Sequence, residues 1–334
     1  MLIADYSARK GACRETPRPG RWPHIPKQHR TPPGVDVAQG EAAPMSPAND
    51  PAGQPVQVTA FPNGAIVPML GQGTWQMAQG ERPRDEEEAA LRLGLDMGMT
   101  LIDTAEMYGD GAAESLVGDA ITGRRDDVFL VSKVLPGHAD RRGTIAACEA
   151  SLKRLRTDRI DLYLLHWPGR IPIAETIEAF NILRGQGKIS AWGVSNFDTD
   201  DMNVLAATAG TSPQSMQTNQ VLYNLTRRGI EFELLPWCRM HGLPLMAYSP
   251  LEQGRLLNHP ELAAIAARHH ATIAQIALAW VLAQPGVIAI PKSGSAAHVR
   301  ENHAAAQIRL TAEDMAHLNQ AFPAPTRRES LEML

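Results

Sequence analysis

Cysteine is scarce: Cys13, Cys148 and Cys238 are the only three in 334 residues. They are too few and too far apart for a disulfide framework, and no C-x-x-C or nearby histidine offers a metal-ligand register. They read as ordinary thiols of a reducing compartment, and no metal is expected. Charge of one sign is also missing, since 32 Lys and Arg against 36 Asp and Glu leave a net charge of -4. With no basic run inside the main body, the electrostatic footprint of a nucleic-acid binder is absent. No window approaches the roughly 18 apolar residues of a membrane helix. The opening "MLIADYSARKGACRETPRPG" lacks the apolar core of a secretory signal, so the expected location is cytoplasmic.

What is present divides in two. Residues 1–56 hold ten of the 25 prolines and seven Lys or Arg before residue 31, with almost no apolar periodicity. Such a segment cannot bury enough apolar surface to order itself. It reads as a disordered N-terminal extension, with Met45 of "MSPANDPAGQ" as a candidate true start, a reading preferred over a functional basic tail. Residues 57–334 carry 44% overall hydrophobic content into a texture that can fill a sizeable core.

That texture alternates. "QVTAFPNGAIVPML" predicts a hairpin around Asn63-Gly64. "RDEEEAALRLGLDMG" places acids in a first turn, apolar residues at helical spacing and Gly98 at the end, as a capped helix should. Strand-like runs follow at "PMLGQG", "MTLID", "DVFLVSK", "RIDLYLLH", "KISAWGVS", "SMQTNQ", "PLMAYS" and "GVIAIPK", separated by helical patterns such as "GTIAACEASLKRL". Eight strands alternating with helices over about 270 residues predict an α/β fold of the (β/α)8 TIM-barrel type, with an N-terminal β-hairpin and a short C-terminal tail. No G-x-G-x-x-G follows any of these runs, which weakens a Rossmann reading.

In such a barrel the chemistry gathers where strands end. The second run ends on Asp103, the third on Lys133 and the fourth on His166. The fifth ends on Ser195 and Asn196, the sixth on Gln220, the seventh on Tyr248 and the eighth on Lys292. A single polar strand end is more often a cap, but seven on one rim point to a site. Asp103 at the end of a buried strand needs a cation, which Lys133 can supply. Tyr108, in the loop after Asp103, can then reach the same pocket, where the lysine would lower the phenol toward neutral pH and make it a usable proton donor. His166 could orient a carbonyl oxygen. A plain Asp–Lys ion pair with an unrelated tyrosine stays open on these residues alone.

"LIDTAEMYGDGAAESLVGDAI", "SLKRLRTDRIDLYLLHWP" and "IPKSGSAAHVRENHAAA" resemble the three signature regions of the aldo-keto reductases, NADPH-dependent carbonyl reductases built on a (β/α)8 barrel. The resemblance runs from about residue 57 to 325. It implies a catalytic tetrad of Asp103, Tyr108, Lys133 and His166, with Tyr108 protonating the carbonyl oxygen as hydride arrives from the nicotinamide. It implies carboxamide contacts from Ser195, Asn196 and Gln220, and an aromatic shelf from Tyr248, followed by Ser249 and Leu251 on the cofactor. Gly73 and Thr74 of "GQGTW" would line the cofactor cleft, with Trp75, Met107 and Trp167 walling the substrate pocket. Lys292 and Ser293 match the 2'-phosphate contacts, and Glu301 and Asn302 the adenine contacts. One departure is His298, which stands where the family usually has an arginine. An imidazole lacks the guanidinium fork, so the preference for NADPH over NADH is expected to be weaker, with NADH an alternative cofactor.

The later segments look like bacterial reductases of the methylglyoxal-reductase kind. The short ending "FPAPTRRESLEML" implies an open pocket suited to small aldehydes and 2-oxoaldehydes. A sugar or diketo-acid reductase is the nearest competing activity, and a cofactor-sensing regulatory subunit the competing class. A small carbonyl compound is the expected partner, with neither nucleic acid nor membrane, and a monomer the expected state.

Overall fold

The computed structural model describes residues 56–208 and 216–334. The extension expected over residues 1–56, with Cys13 and Met45, lies outside them apart from Val56. The predicted hairpin is present: β1 (Val58–Ala60) and β2 (Ile66–Pro68) pair antiparallel, with Ala60 opposite Ile66. Gly64 supplies the positive φ of the turn, and Asn63 N–H donates to Gln217 Oε1 at 2.9 Å. That bond fastens the hairpin to a barrel strand far along the chain. Phe61 stacks on Phe129 with ring centroids 5.4 Å apart, closing one end of the barrel.

Eight parallel strands follow: β3 (Gln72–Gly73), β4 (Leu101–Asp103), β5 (Phe129–Val134), β6 (Ile160–Leu165), β7 (Ile189–Ser195), β8 (Met216–Leu222), β9 (Leu245–Tyr248) and β10 (Val287–Ala289). They lie side by side in chain order. Parallel bridges from Leu70 to Ala289 and from Gly73 to Lys292 join the first to the last and close the sheet on itself. All eight predicted strands are found, β3 and β10 shorter than their apolar runs.

Successive strand residues point to opposite faces, and the core divides accordingly. Leu101, Val131, Leu162, Leu164, Met246 and Ile288 pack together inside the barrel. Their neighbours Ile102, Leu130, Tyr163, Trp192 and Ala247 join the larger cluster under the helices. Each fully buried Leu or Ile contributes about 1.5–3 kcal/mol relative to exposure. The same alternation carries Asp103 and Lys133 inward, two residues beyond Leu101 and Val131.

The helices keep to their sequence signals. The helix α1 (Arg84–Asp96) has Asp85, Glu86 and Glu87 in its first turn, and Gly98 follows it at φ 84°. Gly94 of α1 allows a close approach, because a Cβ there would come within 2.1 Å of the Gln72 amide. That buried amide ties α1 to the barrel by donating to Leu91 O and Met99 O. The helix α2 (Ala112–Ala120) follows the loop bearing Tyr108. Asp140 caps α3 (Arg141–Leu155), the predicted "GTIAACEASLKRL" helix, by accepting from Arg142 and Gly143 N–H. Cys148 and Cys238 are buried and unpaired, and burial pushes both thiols up to about 12, which leaves them inert. Among the described residues no helix is long and apolar enough to cross a membrane.

Candidate active site

The C-terminal ends of β4 and β5 set Asp103 beside Lys133. Lys133 Nζ donates to Asp103 Oδ2 at 2.7 Å, to Thr104 O at 2.9 Å and to the Tyr108 hydroxyl at 3.0 Å. All three donor positions of the ammonium are therefore used, and Lys133 is fully buried. A buried charge pair persists only when its remaining lone pairs are also satisfied. Here Gln220 Nε2, from β8, donates to the other carboxylate oxygen, Asp103 Oδ1, at 2.7 Å. Burial pushes the Asp103 carboxyl up, opposed by Lys133 and Gln220, and lowers the Lys133 ammonium, opposed by Asp103.

Tyr108 departs from the sequence expectation. Lys133 was expected to bring the phenol down toward neutrality, but burial first, and the Asp103 carboxylate second, hold it well above its ordinary value. The phenol is therefore protonated at neutral pH, the state a proton donor requires. Lys133 sits ready to stabilise the phenolate once the proton has left.

His166, just past β6, stands edge-on to Tyr108 with centroids 5.8 Å apart. Burial, then the Lys133 charge, lowers its imidazole well below the ordinary value, so the ring is neutral. Its Nδ1 is buried without a partner. A buried N–H without an acceptor costs more than an unfilled lone pair, which assigns the proton to Nε2. His166 is then a neutral N–H donor set edge-on to the Tyr108 ring.

An aromatic wall runs past these groups. Trp75 meets Tyr108 edge-on at 5.0 Å, and Trp167 lies 4.9 Å from His166. Trp75 is 39% exposed, which rules out plain core packing for its ring. Met107 packs at the edge of the small cluster of Ala105, Tyr108 and Ala113.

The residues assigned to the nicotinamide end are brought together, though largely through bonds to one another. Ser195 Oγ donates to Gln220 O at 2.9 Å. Asn196 Nδ2 donates to His166 O at 3.0 Å and to Ser195 Oγ at 3.1 Å, and its Oδ1 accepts from the Tyr248 hydroxyl at 3.0 Å. Thr74 is buried with its hydroxyl on Asp103 O, and Gly73 sits in the bridge to Lys292. Ser249, at φ 47°, accepts from Asn224 Nδ2 through its carbonyl, and Leu251 packs on the core.

Of the residues expected at an adenosine end, Lys292 and Ser293 precede α4 (Ala296–Ala305), whose cap is Ser295. Lys292 Nζ reaches Glu81 Oε2 at 3.4 Å, a long and partly exposed contact. His298 is exposed in the first turn of α4. Glu301 accepts from Thr272 Oγ1 at 2.6 Å, and Asn302 is buried next to it.

Sequence reasoning missed three things. Thr104 holds Lys133 through a backbone carbonyl, which no side-chain pattern reveals. Glu252, buried after β9, accepts from Arg227, Arg255 and Asn224. The C-terminal tail is tied down along its length: Arg328 pairs with Asp200 and Glu233, Glu332 pairs with Arg227, and the Leu334 backbone hydrogen-bonds to Tyr248. Acidic and basic residues in "RRESLEML" are the sequence trace of these contacts.

A family model described as Aldo/keto reductase family matches residues 69–322. The chain is 50% identical to methylglyoxal reductase YeaE of Escherichia coli over 279 residues, covering 82% of this chain and 98% of that one. It is 37% identical to glyoxal reductase of Bacillus subtilis over 261 residues, 76% of this chain and 88% of that one. A crystal structure of an aldo/keto reductase from Klebsiella pneumoniae, in complex with NADP and acetate, superposes with a TM-score of 0.81 at 51% identity, covering 84% of this chain and all of that one.

Proposed function

The chain belongs to the aldo/keto reductase family, and from that membership we propose that it reduces small aldehydes and 2-oxoaldehydes, of the methylglyoxal kind, to alcohols with NADPH. The observation that carries this reading is the hydrogen-bonded chain from Asp103 through Lys133 to a protonated Tyr108, placed beside the neutral His166. The residues suit the cofactor. Lys292 and Ser293 ahead of the α4 N-terminus fit a 2'-phosphate, and the Tyr248 ring fits a nicotinamide. When bound, NADPH supplies the hydride.

The chain's own residues do the rest. His166 Nε2–H donates a hydrogen bond to the carbonyl oxygen and turns it toward Tyr108. The Tyr108 hydroxyl delivers its proton to that oxygen as negative charge develops there. Lys133 then stabilises the phenolate by the same 3.0 Å contact, and Asp103 keeps the ammonium in place. A proton from solvent restores the phenol. Trp75, Met107 and Trp167 exclude water and favour compact, weakly polar substrates. The proposed working unit is a monomer.

The test is NADPH oxidation by the purified protein with methylglyoxal, a nitrobenzaldehyde and a sugar aldehyde, alongside Tyr108→Phe. Turnover that is fastest on the 2-oxoaldehyde and collapses in the variant supports the reading. NADPH binding without turnover on any carbonyl would sink it.

A further inference from the structure

Gln220 stands on β8, four strands from Asp103 on β4 in a barrel of eight, and so on the opposite wall. Its side chain crosses the barrel mouth to place Nε2 2.7 Å from Asp103 Oδ1, between residues 117 apart in sequence. The residue is 1% exposed, and Nε2 also lies 3.9 Å from the Met246 sulfur. Asp103 is thus gripped from both sides, by Lys133 on Oδ2 and by Gln220 on Oδ1. One amide N–H is thus committed to Asp103, the other faces only the Met246 thioether, and Oε1 takes no hydrogen bond among the described residues.

We propose that Gln220 is a positioning residue of the proton-donating chain. It fixes the Asp103 carboxylate so that Lys133 stays in line with Tyr108, a role separate from the carboxamide contact expected of it. This rests on the reductase reading for the proton-donating role of Tyr108, but the contact with Asp103 is independent of it. The physical argument is directional. If Oδ1 loses its donor, the carboxylate has one partner left and draws the ammonium toward itself. Lys133 then gives less to the phenol oxygen, and proton delivery slows. The same argument explains why the position carries an amide: a glutamate of equal length would set two carboxylates against each other in a buried site.

Gln220→Glu separates the two roles, because it keeps an acceptor for the carboxamide and loses the donor to Asp103. One shared proton between Asp103 and the new carboxyl would restore the donor, so the variant should be rescued by acid. The experiment measures kcat and NADPH Kd for the full chain, Gln220→Glu and Gln220→Met from about pH 5 to 9. The expected result is a Gln220→Glu kcat at least roughly tenfold below wild type at the alkaline end, the scale of a lost charge-assisted hydrogen bond. It should recover toward wild type at the acid end, while Gln220→Met stays low throughout. A Gln220→Glu profile parallel to wild type, with only Kd changed, would reduce Gln220 to a carboxamide contact and overturn the proposal.

Thermal melts of the same proteins keep the contact testable apart from the chemistry. A gap in Tm between wild type and Gln220→Glu that widens as pH rises supports the Asp103 contact, and a constant gap refutes it. A wild-type chain that turns over no carbonyl would remove the reductase reading and leave the melts to decide the contact.

Discussion

The Lys133 ammonium donates to the Tyr108 hydroxyl oxygen across 3.0 Å, inside a site that otherwise holds the phenol protonated. On the proposed mechanism the lysine acts on the phenolate that follows proton transfer more than on the resting phenol. Tyr108→Phe should therefore lower kcat by about 10²- to 10⁴-fold, the range of general acid catalysis. NADPH affinity, read by fluorescence titration, should be preserved. A kcat near wild type would remove Tyr108 as the donor.

Lys133 and Asp103 form a pair that neither can leave alone. Lys133→Met strands a buried carboxylate and should cost roughly 3–5 kcal/mol in urea unfolding. Adding Asp103→Asn to Lys133→Met should return part of that loss, because the stranded charge is gone. Additive losses would argue against the coupling.

His166 gives a pH prediction with a definite sign. Its folded proton affinity lies well below the ordinary value because of burial and the Lys133 charge. The unfolded chain then binds the proton that the folded chain refuses, so stability should be full above about pH 6.5 and fall as pH drops below it. His303, lowered mainly by burial, adds to the same slope. Unfolding free energies measured across this window should show a shallower slope for His166→Gln, and an unchanged slope would contradict the neutral, buried assignment.

The tail contacts are predicted to matter for access and little for stability. Glu332 and Arg227 are 41% and 33% exposed, so Glu332→Gln should cost at most about 1 kcal/mol. Truncation before Arg328 should free the Tyr248 hydroxyl from Leu334 and raise KM for NADPH more than it alters kcat. Equal effects on both constants would mean that the tail supports the site as a whole.

Lys292 should carry the cofactor preference. Its loss to alanine removes a charge-assisted contact of about 1.5–3 kcal/mol, which is roughly 10- to 100-fold in NADPH Kd. NADH Kd should hardly change, and His298→Arg should sharpen the preference by supplying a guanidinium fork. Parallel losses for both cofactors on Lys292→Ala would place Lys292 elsewhere than at the 2'-phosphate.

By itself the sequence determined the parts that local pattern controls. Apolar runs of strand length gave eight strands. Their period of two fixed which ends point inward, so Asp103 and Lys133 were legible as a pair, as was the hairpin at Asn63-Gly64. The tertiary structure decided what depends on distance and desolvation. Only folding sets Gln220 against Asp103, 117 residues away, and only burial, summed over every neighbouring element, keeps Tyr108 protonated where a lysine alone suggested otherwise. The tail escaped for a similar reason. Its ion pairs with Asp200, Arg227 and Glu233 join residues about a hundred positions apart, and charge composition does not say where a short segment will come to rest.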